Sequence, residues 1–128
     1  MPEYGFFREL DLGFDDAVEK VTEELKKEGF GVLTTVDLKA KFQEKLGIDY
    51  KNYIILGACN PPMAHKSIEA EEDIGLFLPC NAIVYEKNGK TAVGIIKPAA
   101  AMSMIDNPAL SEIAVKVEEK LKRVSEAL

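Results

Sequence analysis

"CNAIVYEKNGKTAVGIIK", residues 80–97, reads as two apolar, β-branched and aromatic runs, 80–85 and 91–97, around Glu86-Lys87-Asn88-Gly89-Lys90. Asn-Gly is the dipeptide preferred by a type I′ turn, whose two central residues both take positive φ, so the stretch predicts an antiparallel hairpin. Strands and helices interleave before this hairpin and a long helix follows it. That order predicts an α+β fold, a two-layer domain with a mixed sheet of about five strands packed by helices.

Upstream, YIILGA at 53–58 is a nearly continuous apolar run, too short for an independent helix and suited to a strand buried on both faces. Cys59 ends it. Asn60-Pro61-Pro62 then signals a helix start, since asparagine caps and proline at the first position lacks an N–H that would go unpaired. This helix is expected to run to about residue 72. Earlier still, FGVLTTV at 30–36 reads as a strand, and Asp37 is placed to cap a short helix over 38–46 that Gly47 ends. Residues 6–12 predict a first strand, with a turn and cap at Gly13-Phe14-Asp15-Asp16. The next helix, about 16–28, carries Ala17, Val21 and Leu25 on one face and Glu23 with Lys27 at i,i+4, and Gly29 stops it.

Downstream of the hairpin, PAAAMSMID at 98–106 is small and Met-rich, the composition of an adaptable connector or lid. Asn107-Pro108 then opens a helix in which Leu110, Ala114, Val117, Leu121, Val124 and Leu128 recur at spacings of four and three. With fewer than three full heptads, this face is expected to pack on the sheet, with a dimer seam as the alternative.

The chain of 128 residues has the size of one domain, 1–128, and its 47% hydrophobic and 30% charged residues are globular values. Sixteen basic and 22 acidic residues leave a net charge of −6 with no basic cluster, so nucleic acid is not an expected partner. MPEYGFFRELDLGF lacks the basic and apolar regions of a leader, and no apolar run is long enough to span a bilayer. A cytoplasmic location without membrane association is the expectation. In that reducing setting, two cysteines about twenty residues apart suit free thiols, ligands or transient redox partners better than a permanent disulfide.

Residues 56–81 hold both cysteines, the only histidine and three of the six prolines. Cys59 falls between an apolar strand and a helix start, where unpaired N–H groups and the macrodipole favour a thiolate, so its pKa is expected to fall. Cys80 follows Pro79 at the start of the hairpin and comes near Cys59 if their strands are neighbours. His65, expected on the helix face shared with Pro61 and Pro62, could act as base or tune a nearby thiol. Cys59, Cys80 and His65 are thus the candidate reactive residues, and Asn60, Pro61, Pro79 and Asn81 the candidate ligand contacts. No C-x-x-C spacing supports a metal site, and no cofactor motif is present. Glu69, Glu71, Glu72 and Asp73 crowd the expected helix end, where the macrodipole disfavours negative charge.

GACNPPMAHKSIEAEEDIGLFLPCNAIVYE, preceded by KEGFGVLTTVDLKAKFQEKLG, resembles the bacterial and archaeal family called domain of unknown function 302. The resemblance runs from about Phe7 to the C-terminus, and its most specific elements are Ala58-Cys59-Asn60-Pro61, Ala64 with His65, and Leu78-Pro79-Cys80. It implies a compact α+β fold and a homodimer, and a leaning toward sulfur chemistry, since members occur beside rhodanese-type domains. The resulting expectation is a thiol-centred domain that uses Cys59 and Cys80 to bind a small ligand, sulfur or a soft metal. The alternative is a noncatalytic homodimeric binding or interaction module, with structural cysteines and a cleft between subunits, bordered by the Met-rich segment and the Asn60 helix start and suited to a small anionic ligand. A third possibility is an interaction domain that works through the acidic helix end and the long last helix.

Overall fold

A computed structural model describes residues 3–128; Met1 and Pro2, where the stretch read for a leader begins, lie outside the described residues. The strands are β1 (Gly5–Leu10), β2 (Gly31–Asp37), β3 (Tyr53–Cys59), β4 (Cys80–Lys87) and β5 (Lys90–Ile96). The helices are α1 (Phe14–Lys27), α2 (Leu38–Leu46), α3 (Pro61–Ala70), α4 (Pro98–Ala101) and α5 (Pro108–Glu126), with a 3-10 turn over Glu72–Phe77. The strands form one sheet in the order β1-β5-β4-β3-β2.

The α+β class and the five strands are as expected, but the sheet is antiparallel throughout rather than mixed. Each connection between neighbouring strands explains this. The β2–β3, β3–β4 and β4–β5 links each leave and re-enter at the same end of the sheet, so neighbours must run in opposite directions. Only α1 crosses the sheet, from β1 at one edge to β2 at the other. The hairpin closes on Asn88 and Gly89 with φ of 50° and 80°, the positive pair that a type I′ turn requires.

The core lies between one sheet face and α1 with α5. Ala17, Val21 and Leu25 of α1 and Leu121 and Val124 of α5 meet Leu56, Ala58, Ala82, Val84, Val93 and Ile95 of the strands. The α5 periodicity therefore packs inward on the sheet. Arg8 on β1 holds the end of this helix, donating to the carbonyls of Ser125 (2.7 Å) and Leu128 (3.1 Å).

The end of α1 shows how local sequence sets the tertiary frame. Gly29, with φ of 86°, donates to the Lys26 carbonyl while Phe30 donates to that of Leu25, both at 3.0 Å. These two bonds make a Schellman motif, whose apolar contact joins the residue after the glycine to the last turn. Here that contact is Phe30 with Leu25, both buried in the core. Lys27 pairs at 2.7 Å with Glu24, three residues back, rather than with Glu23.

Two asparagines link the helices in series. Asn60 Oδ1 accepts from the Met63 N–H to cap α3, while its Nδ2 donates to the Glu28 carbonyl at the end of α1, both at 3.4 Å. Asn107 repeats the arrangement. Its Oδ1 accepts from Leu110 N–H (3.2 Å) to cap α5, and its Nδ2 donates to the Ala70 carbonyl (2.8 Å) and to Glu71 Oε1 (3.0 Å) at the end of α3. Because α3 stops at Ala70 rather than near residue 72, Glu71 caps it from outside and Glu72 and Asp73 enter the first turn of the 3-10 segment. The acidic cluster and the helix dipole thus conflict less than the sequence suggests.

Candidate functional site

β3 ends and β4 begins at the same end of the sheet, with Ala58 opposite Cys80 and Gly31 opposite Cys59. The two thiols are therefore one strand position apart across neighbouring strands. Both are free and partly exposed, and both line one cavity of about 280 Å³. Its walls are the sheet end, α3, Pro98 at the start of α4 with Met102 just after that helix, and Ala114 and Val117 of α5.

Local features open this space. A register shift between Val32 and Thr34 leaves Leu33 as the extra residue of a bulge in β2, 67% exposed at the cavity wall. Gly57 lets Thr34 and Pro79 close over the strand, since a Cβ there would overlap Thr34 Oγ1 and come within 2.8 Å of Pro79 Cγ. The Leu78–Pro79 peptide is cis. On α5, the small side chain of Ala114 leaves room where a leucine would fill it.

The chemistry of the lining is narrow. Among the described residues no charged side chain lines the cavity, and Thr34, Asn60 and Ser67 supply its polar groups other than the thiols. Ser67 Oγ donates to the Met63 carbonyl at 2.8 Å and Asn60 is engaged at both ends, so two of these three are already partnered. Burial, and secondarily the charge of Cys59, push the Cys80 thiol up to about 11. Cys80 is a neutral thiol at neutral pH.

The start of α3 does not offer Cys59 what the sequence suggested. Pro61 and Pro62 have no N–H, and the N–H of Met63 is taken by the Asn60 cap. The first three helical positions thus leave no free donor for a thiolate or an anion, and only the helix dipole remains.

Of the residues singled out from sequence, the structure brings Cys59, Cys80, Asn60 and Pro79 to the cavity and leaves three outside it. Pro61 is exposed at the helix start. Asn81 is exposed and pairs with Gly57, one residue past Cys80, where the pleat turns its side chain to the other sheet face. His65 does not share the inward face of α3. Met63 and Ser67 face the cavity, and His65, two residues from each, is about 200° around the helix from both. Its Nε2 lies 3.4 Å from Glu69, with three quarters of its side chain exposed.

The sequence did not reveal that Met63, Met102, Leu33 and Thr34 belong to this site. Met102 carried a weak signal, the Met-rich composition of 98–106, but Met63 and Met102 join the cysteines at the cavity only through the packing of α3 and α4 against α5. Among the described residues no three His, Cys, Asp or Glu side chains are grouped to hold a metal ion. No described helix is long and apolar enough to cross a membrane.

The crystal structure of an uncharacterized conserved protein DUF302 from Bacillus stearothermophilus is similar to this chain over 98% of both, with a TM-score of 0.90 and 36% identity. No curated protein matches the chain. The family model described as Domain of unknown function DUF302 matches residues 6–128, which include the whole sheet apart from Gly5 and every residue of the cavity. On both grounds the chain belongs to the DUF302 family.

Proposed function

We propose that this protein is a thiol-centred binding domain that holds a small, uncharged or soft ligand in the cavity, with Cys59 as the contacting sulfur and Cys80 as the neutral second thiol. One observation carries the reading: both cysteines line one mainly apolar cavity whose described lining has no charged residue. Anions and hard cations would lose hydration there without gaining a partner, whereas polarizable sulfur suits soft or apolar groups. A volume near 280 Å³ fits a small molecule.

The rates of native-state labelling by iodoacetamide, which is neutral, and iodoacetate, which is anionic, test this reading. Relative to glutathione, the ratio should favour iodoacetamide by about 10-fold, reflecting desolvation of the anion at an apolar wall. Mass spectrometry should place the label on Cys59, and Cys59→Ser should remove it while Cys80→Ser retains it. Equal discrimination in glutathione and protein, or labelling only after unfolding, would overturn the proposal.

A second reading, the homodimeric module, is favoured by the sheet face opposite α1 and α5. Phe7 and Ile83 close over Gly94, whose added Cβ would meet each at 3.0 Å. Beside them Tyr53 and Tyr85 stack with centroids 5.0 Å apart. An antiparallel sheet with one solvated face normally alternates apolar and polar residues, and here both faces are apolar. We propose a second copy as the occupant: a chain of net charge −6 meets itself with least repulsion through a patch without excess negative charge, and here Lys87 pairs with Glu9 at 3.5 Å while the Lys51 ammonium lies 5.0 Å from the Tyr85 ring centroid. Sedimentation should give twice the 14.1 kDa chain mass at micromolar concentration, and Ile83→Lys should return it to 14.1 kDa with its circular dichroism intact. A wild-type chain that stays at single mass would count against this arrangement.

A further inference from the structure

Both cysteines and two of the four methionines, Met63 and Met102, line the same cavity. They come from four places in the fold: the end of β3, the start of β4, the first turn of α3, and the residue that follows α4. We propose that this cavity is a copper(I) site in which the thiolates of Cys59 and Cys80 bind the ion and the thioethers of Met63 and Met102 complete its coordination. The inference rests on the reading of the cavity as a thiol-centred binding site and names the ligand class it takes.

The donor set selects the ion. Thiolate and thioether sulfur are soft ligands that favour copper(I), while magnesium, calcium and manganese need oxygen. The described lining has no carboxylate or imidazole to offer. Zinc usually takes four ligands drawn from cysteine, histidine and carboxylate, and beyond the two thiols none is grouped here. Thioethers on unbranched, three-bond side chains can also adjust to an ion entering an irregular space.

Charge points the same way. Two bare thiolates in this mainly apolar space would lose hydration and repel each other. A monovalent cation between them offsets both penalties, because a coordinated thiol is held deprotonated. Binding is then Cu⁺ + 2 RSH → [Cu(SR)₂]⁻ + 2 H⁺, in which two S–H bonds break, two Cu–S bonds form, the protons pass to solvent and no oxidation state changes. The net charge of the site is −1 instead of the −2 of two bare thiolates. The thioethers add ligands without adding charge.

The test is an anaerobic titration of the reduced chain with copper(I) buffered by bicinchoninate, read by competition, by ultraviolet sulfur-to-copper charge transfer and by proton release. One equivalent should bind, releasing two protons at pH 7. Cys59→Ser and Cys80→Ser should each weaken binding by at least about 100-fold, since each removes a thiolate ligand. Met63→Leu and Met102→Leu, which conserve volume, should each weaken it by about 10-fold. Met104→Leu should change nothing, because Met104 is 80% exposed and outside the cavity lining. Circular dichroism at each step shows that the variants are folded. Copper binding no tighter than in the urea-unfolded chain, zinc binding as tight as copper, or unchanged affinity in both cavity-methionine variants would overturn the site. If copper fails while iodoacetamide still labels Cys59 selectively, the metal inference falls and the soft-ligand reading stands.

Discussion

Phe30→Ala should lower the folding free energy by about 3–5 kcal/mol, the range for deleting a buried aromatic side chain. Phe30 is 2% exposed and is among the largest fully or nearly fully buried side chains of the core. Its position joins three structures. It supplies the apolar contact of the motif that ends α1, it immediately precedes β2, and it forms part of the cavity wall. Truncation would remove its contact with Leu25 and enlarge the existing cavity, and the backbone bonds of Gly29 and Phe30 would resist collapse of the gap. A typical domain has only about 5–15 kcal/mol to lose, so the variant should be close to unfolding at 37 °C. Urea denaturation at 25 °C measures the effect, and a loss below about 1 kcal/mol would show that the wall relaxes into the space.

The second large effect is alkaline destabilisation through Cys80. Its thiol is raised to about 11 in the folded chain from an ordinary value of 9.0, by burial first and by the charge of Cys59 second. Below pH 9 the thiol is protonated in both states and the stability from its suppressed ionisation is fully present. Between pH 9 and 11 the unfolded chain releases the proton and the folded chain retains it, so stability falls as pH rises, and above pH 11 this contribution is lost. Two pH units correspond to about 2–3 kcal/mol. Burial raises the Tyr53 hydroxyl as well, with a smaller contribution from the charge of Tyr85, and acts in the same direction. The informative measurement is therefore the difference in urea stability between wild type and Cys80→Ala across this range. That difference should shrink toward high pH, and parallel curves would refute the assignment.

Much of the local structure was legible because local chemistry sets it. Asn88-Gly89 takes the two positive φ values that its turn demands, Asp37 caps α2 by accepting from Ala40 N–H at 3.0 Å, and Asn60 and Asn107 cap the helices they precede. The buried stripe of α5 follows its spacing from Leu110 to Val124. In each case the deciding contact lies within a few residues, so no knowledge of distant chain is needed.

The continuous apolar run of β3 predicted a strand covered on both faces, and the fold shows where that inference was incomplete. Helices cover one face of the sheet, while Tyr53, Ile55 and Ile83 remain partly exposed on the other. An apolar run records that both faces avoid water and leaves open whether the same chain or another does the covering.

His65 and Asn81 illustrate a different limit. Both lie next to the cysteine motifs in sequence, yet helical rotation sends one to solvent and the pleat sends the other to the opposite sheet face. Met102 is far from both motifs and reaches the cavity wall. Proximity along a chain becomes proximity in space only after the periods of 3.6 and 2 residues are applied.

The sequence by itself determined the hairpin, the helix caps, the inward stripe of α5 and the α+β class, because turn dihedrals, capping bonds and hydrophobic period are local properties. Only the tertiary structure decided that the sheet is antiparallel throughout, that Cys59 and Cys80 line one cavity, and that two methionines join them while His65 does not. Those outcomes depend on which strands are neighbours and on which side each helix packs, and these follow from burying the whole apolar surface at once.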